Sequence, residues 1–75
     1  MRKLQKEIIY HLQEDFPRGC RVELIRMDDP QAPPIGTCGT VIGVDAFGTI
    51  HVDWDNGSRL GVAYREDDCR RIDET

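Results

Sequence analysis

The sequence predicts a mainly β protein, a small five-stranded SH3-like barrel preceded by one N-terminal amphipathic α-helix, and three observations carry that prediction. A helical period at the start gives way, from Cys20 onward, to short alternating segments. Glycine-containing turn signals separate the middle segments at hairpin distance, whereas a proline-punctuated acidic loop of nine residues, 28–36, separates the first two. A chain of 75 residues supports a single thin core, and closing a short sheet into a barrel removes its open edges. Residues 1–15 are read as the helix and residues 16–75 as the barrel, within one compact domain.

Across residues 2–15, Leu4, Ile8, Ile9 and Leu12 recur at helical spacing, with Lys3, Lys6, Glu7 and Glu14 around the rest of the wheel. "FPRG" stops the helix, because the residue before a proline is pushed away from the α region. Phe16 is expected to plug the junction with the barrel. Such a helix is expected to cap the barrel; self-association through it, or contact with a second protein, is its alternative use.

The first strand alternates Val22 and Leu24 against Arg21, Glu23 and Ile25, which suits one buried face. "TCGTVIGVD" is the second strand. "TIHVDWD" is the third, with Ile50, Val52 and Trp54 on one face and His51, Asp53 and Asp55 on the other. "AFG" connects them with a glycine available for positive φ, and "DNG" at 55–57 predicts a type I′ hairpin turn. "SRLGVAY" follows as the fourth strand, "REDD" as a loop or single 3₁₀ turn, and "CRRI" as a short fifth strand. Gly39 and Gly43 are expected to mark bends of a tightly curled strand.

Hydrophobic content of 39% with 32% charged residues is ordinary for a globular domain, and no apolar run approaches the roughly 18 residues of a membrane span. No signal peptide is read, so the expected compartment is the cytoplasm. Cys20, Cys38 and Cys69 are odd in number, widely spaced and without a C-x-x-C pair, which argues against both a disulfide framework and structural zinc. They read as small half-buried thiols. A formal net charge of −4 argues against an extended phosphate-binding surface.

No catalytic constellation emerges. His11 and His51 lie 40 positions apart without an interpretable Ser or Cys partner, the paired acids lack EF-hand spacing, and the glycines precede no helix that would cradle a phosphate. Alternation assigns Trp54 to the core rather than to a stacking platform. The acidic loop is the better candidate site. Asp28 and Asp29 can form an Asx turn, Pro30 fixes φ, and "APP" stiffens the return, so the loop keeps its shape without burying much apolar area. Stiffness of this kind lowers the entropy cost of binding.

The segment from Phe16 to Val62 resembles the bacterial and phage family termed domain of unknown function 4314, through "RVELIRMDDPQAPPIGT", "GTVIGVD" and "WDNGSRLGV". More loosely, "GTIHVDWDNG" is similar to the Mib/Herc2 type of SH3-like domain, a protein-binding module. The resemblance implies the fold and a setting in phages and integrated mobile elements; it implies no activity. Cys38 departs from the polar residue expected at its position, and the helix before Phe16 lies outside the resemblance.

The leading expectation is a non-enzymatic module, without cofactor or metal, that binds a protein partner. Its contacts would be Asp28, Asp29, Pro30 and Gln31 on the loop, His51, Asp53 and Asp55 on the strand face, or the helix. A narrower form makes it an inhibitor of a host defence or nucleic-acid-handling protein. The second expectation is a small oligomer that binds a nucleotide or similar ligand, with Arg26, Arg59 or Arg65 holding a phosphate in a bidentate fork. RNA or DNA binding is third, disfavoured by net charge and by few aromatics.

Overall fold

The computed structural model describes residues 3–72. One helix, α1 (Lys6–Asp15), precedes four strands, β1 (Arg21–Arg26), β2 (Cys38–Val44), β3 (Ile50–Trp54) and β4 (Asp68–Ile72). All pair antiparallel in a single sheet of order β3-β2-β1-β4. Rows of paired residues cross the sheet, such as Ile72–Arg21–Thr40–Asp53.

Period-2 alternation decides which face is buried. Val22 and Leu24 of β1, Val41 of β2, Cys69 of β4 and the Ile50, Val52 and Trp54 stripe of β3 form the core with Val62; Phe16, Cys20, Met27 and Val44 pack against it. Trp54 is 2% exposed, as the alternation predicts. Leu12 of α1 shares a pocket with Ile50, Val62 and Cys69, so the helix lies on the core side of the sheet. One sheet covered on one face makes two layers, and the molecule is flat, 33 × 31 × 16 Å.

The expected five-stranded closed barrel is corrected to four strands in an unclosed sheet. The segment 58–64, expected as a strand, forms one isolated bridge at the edge of β3, Ile50 with Val62, and no continuous ladder. Its register is strand-like at both ends, since the Trp54 amide donates to the Ser58 carbonyl at 2.9 Å and Ile50 and Val62 exchange bonds at 2.9 and 2.8 Å. Between those ends the ladder rung at Val52 and Leu60 is displaced. The Leu60 carbonyl accepts the Trp54 indole N–H at 2.8 Å, and the Leu60 amide donates to Ser58 Oγ at 3.4 Å. Burying a tryptophan obliges its N–H to find an acceptor, and here that acceptor is the Leu60 carbonyl, which makes no backbone bond to Val52.

Both β-hairpin turns after β2 are built alike. The Gly48 amide donates to Asp45 and the Gly57 amide to Trp54, and Gly48 and Gly57 take φ of 81° and 92°. Asn56 is not in the positive-φ region, so the "DNG" turn is a type I turn followed by a left-handed glycine, not the expected type I′. Gly43 flanks a register shift in β2, and Gly39 is buried against Trp54. The helix begins at Lys6 rather than at Arg2, which lies outside the described residues. Among the described residues no helix is long and apolar enough to cross a membrane.

Candidate functional site

The acidic loop is two β-turns in succession. Asp29 opens the first: its carbonyl accepts the Ala32 amide at 2.9 Å and its Oδ1 accepts the Gln31 amide at 2.8 Å, around a Pro30 whose ring presets φ. The second closes when the Thr37 amide donates to the Pro34 carbonyl at 3.0 Å, with Gly36 at φ 93° and the Thr37 hydroxyl on the same carbonyl at 2.6 Å. Bonds from the Leu24 amide to the Thr37 carbonyl and from the Gly36 amide to the Leu24 carbonyl extend the ladder into the loop. Pro33 is buried beneath it, while Ile35 at its tip is 62% exposed.

Register then brings a second acidic segment alongside. Arg26 pairs with Asp68, so Met27, Asp28 and Asp29 run beside the turn that contains Glu66 and Asp67. Asp28, Asp29, Glu66 and Asp67 line a recess of about 600 Å³ with Met27 and Leu60 at its apolar side. The turn is held from within: Glu66 and Asp67 amides donate to the Ala63 carbonyl at 3.1 and 3.0 Å, and Asp67 Oδ2 accepts the Ala63 amide at 2.9 Å. Asp28 and Glu66 form no ion pair among the described residues. Pro30 and Gln31 are exposed on the turn and do not line the recess. Sequence reasoning left Glu66 and Asp67 out of the site, because only the pairing of β1 with β4 sets them against Asp28 and Asp29.

His51, Asp53 and Asp55 share the outer face of the sheet, as their alternation predicts, but none of them lines the recess. Each has a partner. His51 Nε2 lies 2.8 Å from Asp45 Oδ2, Arg59 Nε lies 3.7 Å from Asp53, and the Arg21 guanidinium grips Asp55 through bonds of 2.8 and 2.5 Å while also donating to Thr40 Oγ1 at 3.1 Å. Arg70 holds Glu23 across β4 and β1 with two nitrogens on the one Oε1, at 2.8 and 2.6 Å. The Arg21 bonds hold the Asp55 carboxyl below the ordinary carboxylate range. Desolvation pushes Asp45 up, yet bonds from His51 and from the Thr49 and Phe47 amides outweigh it, and its carboxyl also ends below that range. This face compensates its own charge.

The three arginines expected to hold an anion are split. Arg59 sits on the outer face, whereas Arg26 and Arg65 line a pocket of about 340 Å³ between α1 and the 63–68 segment. The cysteines are free thiols; burial pushes Cys20 up and drives buried Cys69 to about 12, which leaves it inert as a nucleophile near neutral pH. Among the described residues no three His, Cys, Asp or Glu side chains are arranged to hold a metal ion.

A family model described as Domain of unknown function (DUF4314) matches residues 5–72. The match takes in α1, so the helix is part of the family's pattern and does not lie outside it. No curated protein and no solved structure matches the chain.

Proposed function

The chain belongs to the family described as Domain of unknown function (DUF4314), and on that premise we propose that it is a non-enzymatic binding module whose acidic recess takes a basic segment of a protein partner. The observation that carries this reading is a contrast between two sets of carboxylates. On the outer face Asp45, Asp53, Asp55 and Glu23 each meet a cation or a histidine of the same chain, whereas Asp28 and Glu66 in the recess meet none among the described residues. A lysine or arginine of a partner supplies the missing charge, and Met27 and Leu60 offer an apolar wall for its aliphatic stem. The first turn of the loop holds Asp29 in place beforehand, which reduces the ordering cost of association.

The finer form of the fold is also a proposal: an SH3-like arrangement in which the strand after β3 is reduced to the Ile50–Val62 bridge. Its support is that β1 pairs with both β2 and the terminal β4, while β3 carries that bridge at its outer edge. The genetic setting implied by the resemblance, with the net charge of −4, supports a host defence or nucleic-acid-handling protein in the host cytoplasm as the partner. Selection from a displayed random-peptide library tests the module reading. Peptides enriched in Lys or Arg beside an apolar residue, and lost to the D28N/E66Q variant, are the expected result; no enrichment, or enrichment indifferent to that variant, overturns it.

A further inference from the structure

A second concavity, which shares Ala63 and Asp67 with the acidic recess but not Asp28 or Glu66, lies between α1 and the 63–68 segment. Its walls include Leu12, Phe16, Val62 and the Tyr64 ring, and its volume of about 340 Å³ falls within the range of small-molecule sites. Arg26 and Arg65, both exposed, line its rim. The Arg26 backbone pairs with Asp68 in the sheet, but its guanidinium makes no hydrogen bond or ion pair among the described residues. Arg65 has φ of 65°, the one non-glycine position among the described residues in the left-handed region, and its guanidinium carbon lies 5.4 Å from the centroid of the Tyr64 ring. The turn closed by the Glu66 amide on the Ala63 carbonyl puts Arg65 at the position that takes positive φ, where glycine would fit without strain and an arginine does not. Sustained strain at a pocket-lining side chain points to a use for that side chain.

We infer that this pocket binds a small ligand with an apolar body and one anionic group, the body lying against Leu12, Phe16 and Tyr64 and the anion between the Arg26 and Arg65 guanidiniums. Two forks of donors suit a carboxylate or a phosphate equally. Of the acids at the same pocket, Asp67 already accepts the Ala63 amide, and Asp68 disfavours ligands with more than one negative group.

Amide NMR titrations with indole-3-acetate, adenosine monophosphate and tryptamine test the inference. Saturable shifts around Leu12, Tyr64 and Arg65 with either anion, and none with tryptamine, are expected; which anion binds more tightly identifies the preferred head group. R65G removes the guanidinium and relieves the strained φ, so it should raise Tm while weakening anion binding at least tenfold, and R26Q should weaken it similarly. D28N/E66Q should leave it unchanged, which separates this outcome from that of the peptide selection. Absence of saturable shifts with both anions, equal binding of tryptamine, or full affinity in R65G and R26Q overturns the inference.

Discussion

A Cβ built on Gly39 would meet Val52 Cγ1 at 2.6 Å and Trp54 Cε3 at 2.9 Å, whereas at Gly43 nothing lies within 4 Å. The sequence presents both as bends of one strand; the structure gives them different duties, because only Gly39 faces the tryptophan. Gly39→Ala should therefore destabilise by about 1–3 kcal/mol through overpacking, and Gly43→Ala should stay within about 0.5 kcal/mol of the parent, both read from urea midpoints. Asp45 is, with Asp55, one of two carboxylates whose depressed titration gives the fold a pH dependence. Its one carboxylate serves the Phe47 and Thr49 amides of the turn and His51, and its folded-state pKa is depressed by those bonds against the opposing effect of desolvation. A depressed carboxylate contributes stability that is fully present above its unfolded value, about pH 4, and is lost as pH falls through the lower folded value. Asp45→Asn should cost about 1 kcal/mol at neutral pH, small because the site is partly open to solvent, and the gap should narrow in denaturation curves as pH falls below the ordinary carboxylate range.

At the scale of elements, the ends of α1 lack side-chain support. Gln5 at the N-cap makes no side-chain cap bond although its backbone has the extended geometry a cap needs, and the last turn carries no basic residue. Gln5→Ser should raise stability by about 0.5–1 kcal/mol, seen as a higher urea midpoint with an unchanged slope. The helix, the first three strands and the C-terminal strand were legible because their periods are plain: Ile8, Ile9 and Leu12 at helical spacing, with Leu4 falling before α1, and Ile50, Val52 and Trp54 at a period of two. The segment 58–64 was misread for a reason alternation does not carry. Val62 does reach the core, but the Trp54 indole claims the Leu60 carbonyl, and a side-chain bond of that kind leaves no periodic trace. The "DNG" signal correctly marked a hairpin and mistook its type, since the left-handed role falls to Gly57 alone.

For the whole molecule, half of the acidic recess could be read from the chain and half could not. Asp28 and Asp29 announce themselves by their turn chemistry, whereas Glu66 and Asp67 join them only because β4 returns beside β1 and places distant segments together. The outer-face trio of His51, Asp53 and Asp55 was correctly grouped by alternation, yet grouping says nothing about the partners that Asp45, Arg59 and Arg21 supply. Charge that is already compensated on one face and uncompensated in the recess is the asymmetry from which the binding proposal grows. The most direct test is the affinity of a selected Lys- or Arg-bearing peptide for the parent and for D28N/E66Q across a salt series. The account predicts that the double substitution weakens binding by about tenfold or more at low salt and that the difference shrinks as salt screens the charges. Equal affinity of the two proteins at every salt concentration would contradict it.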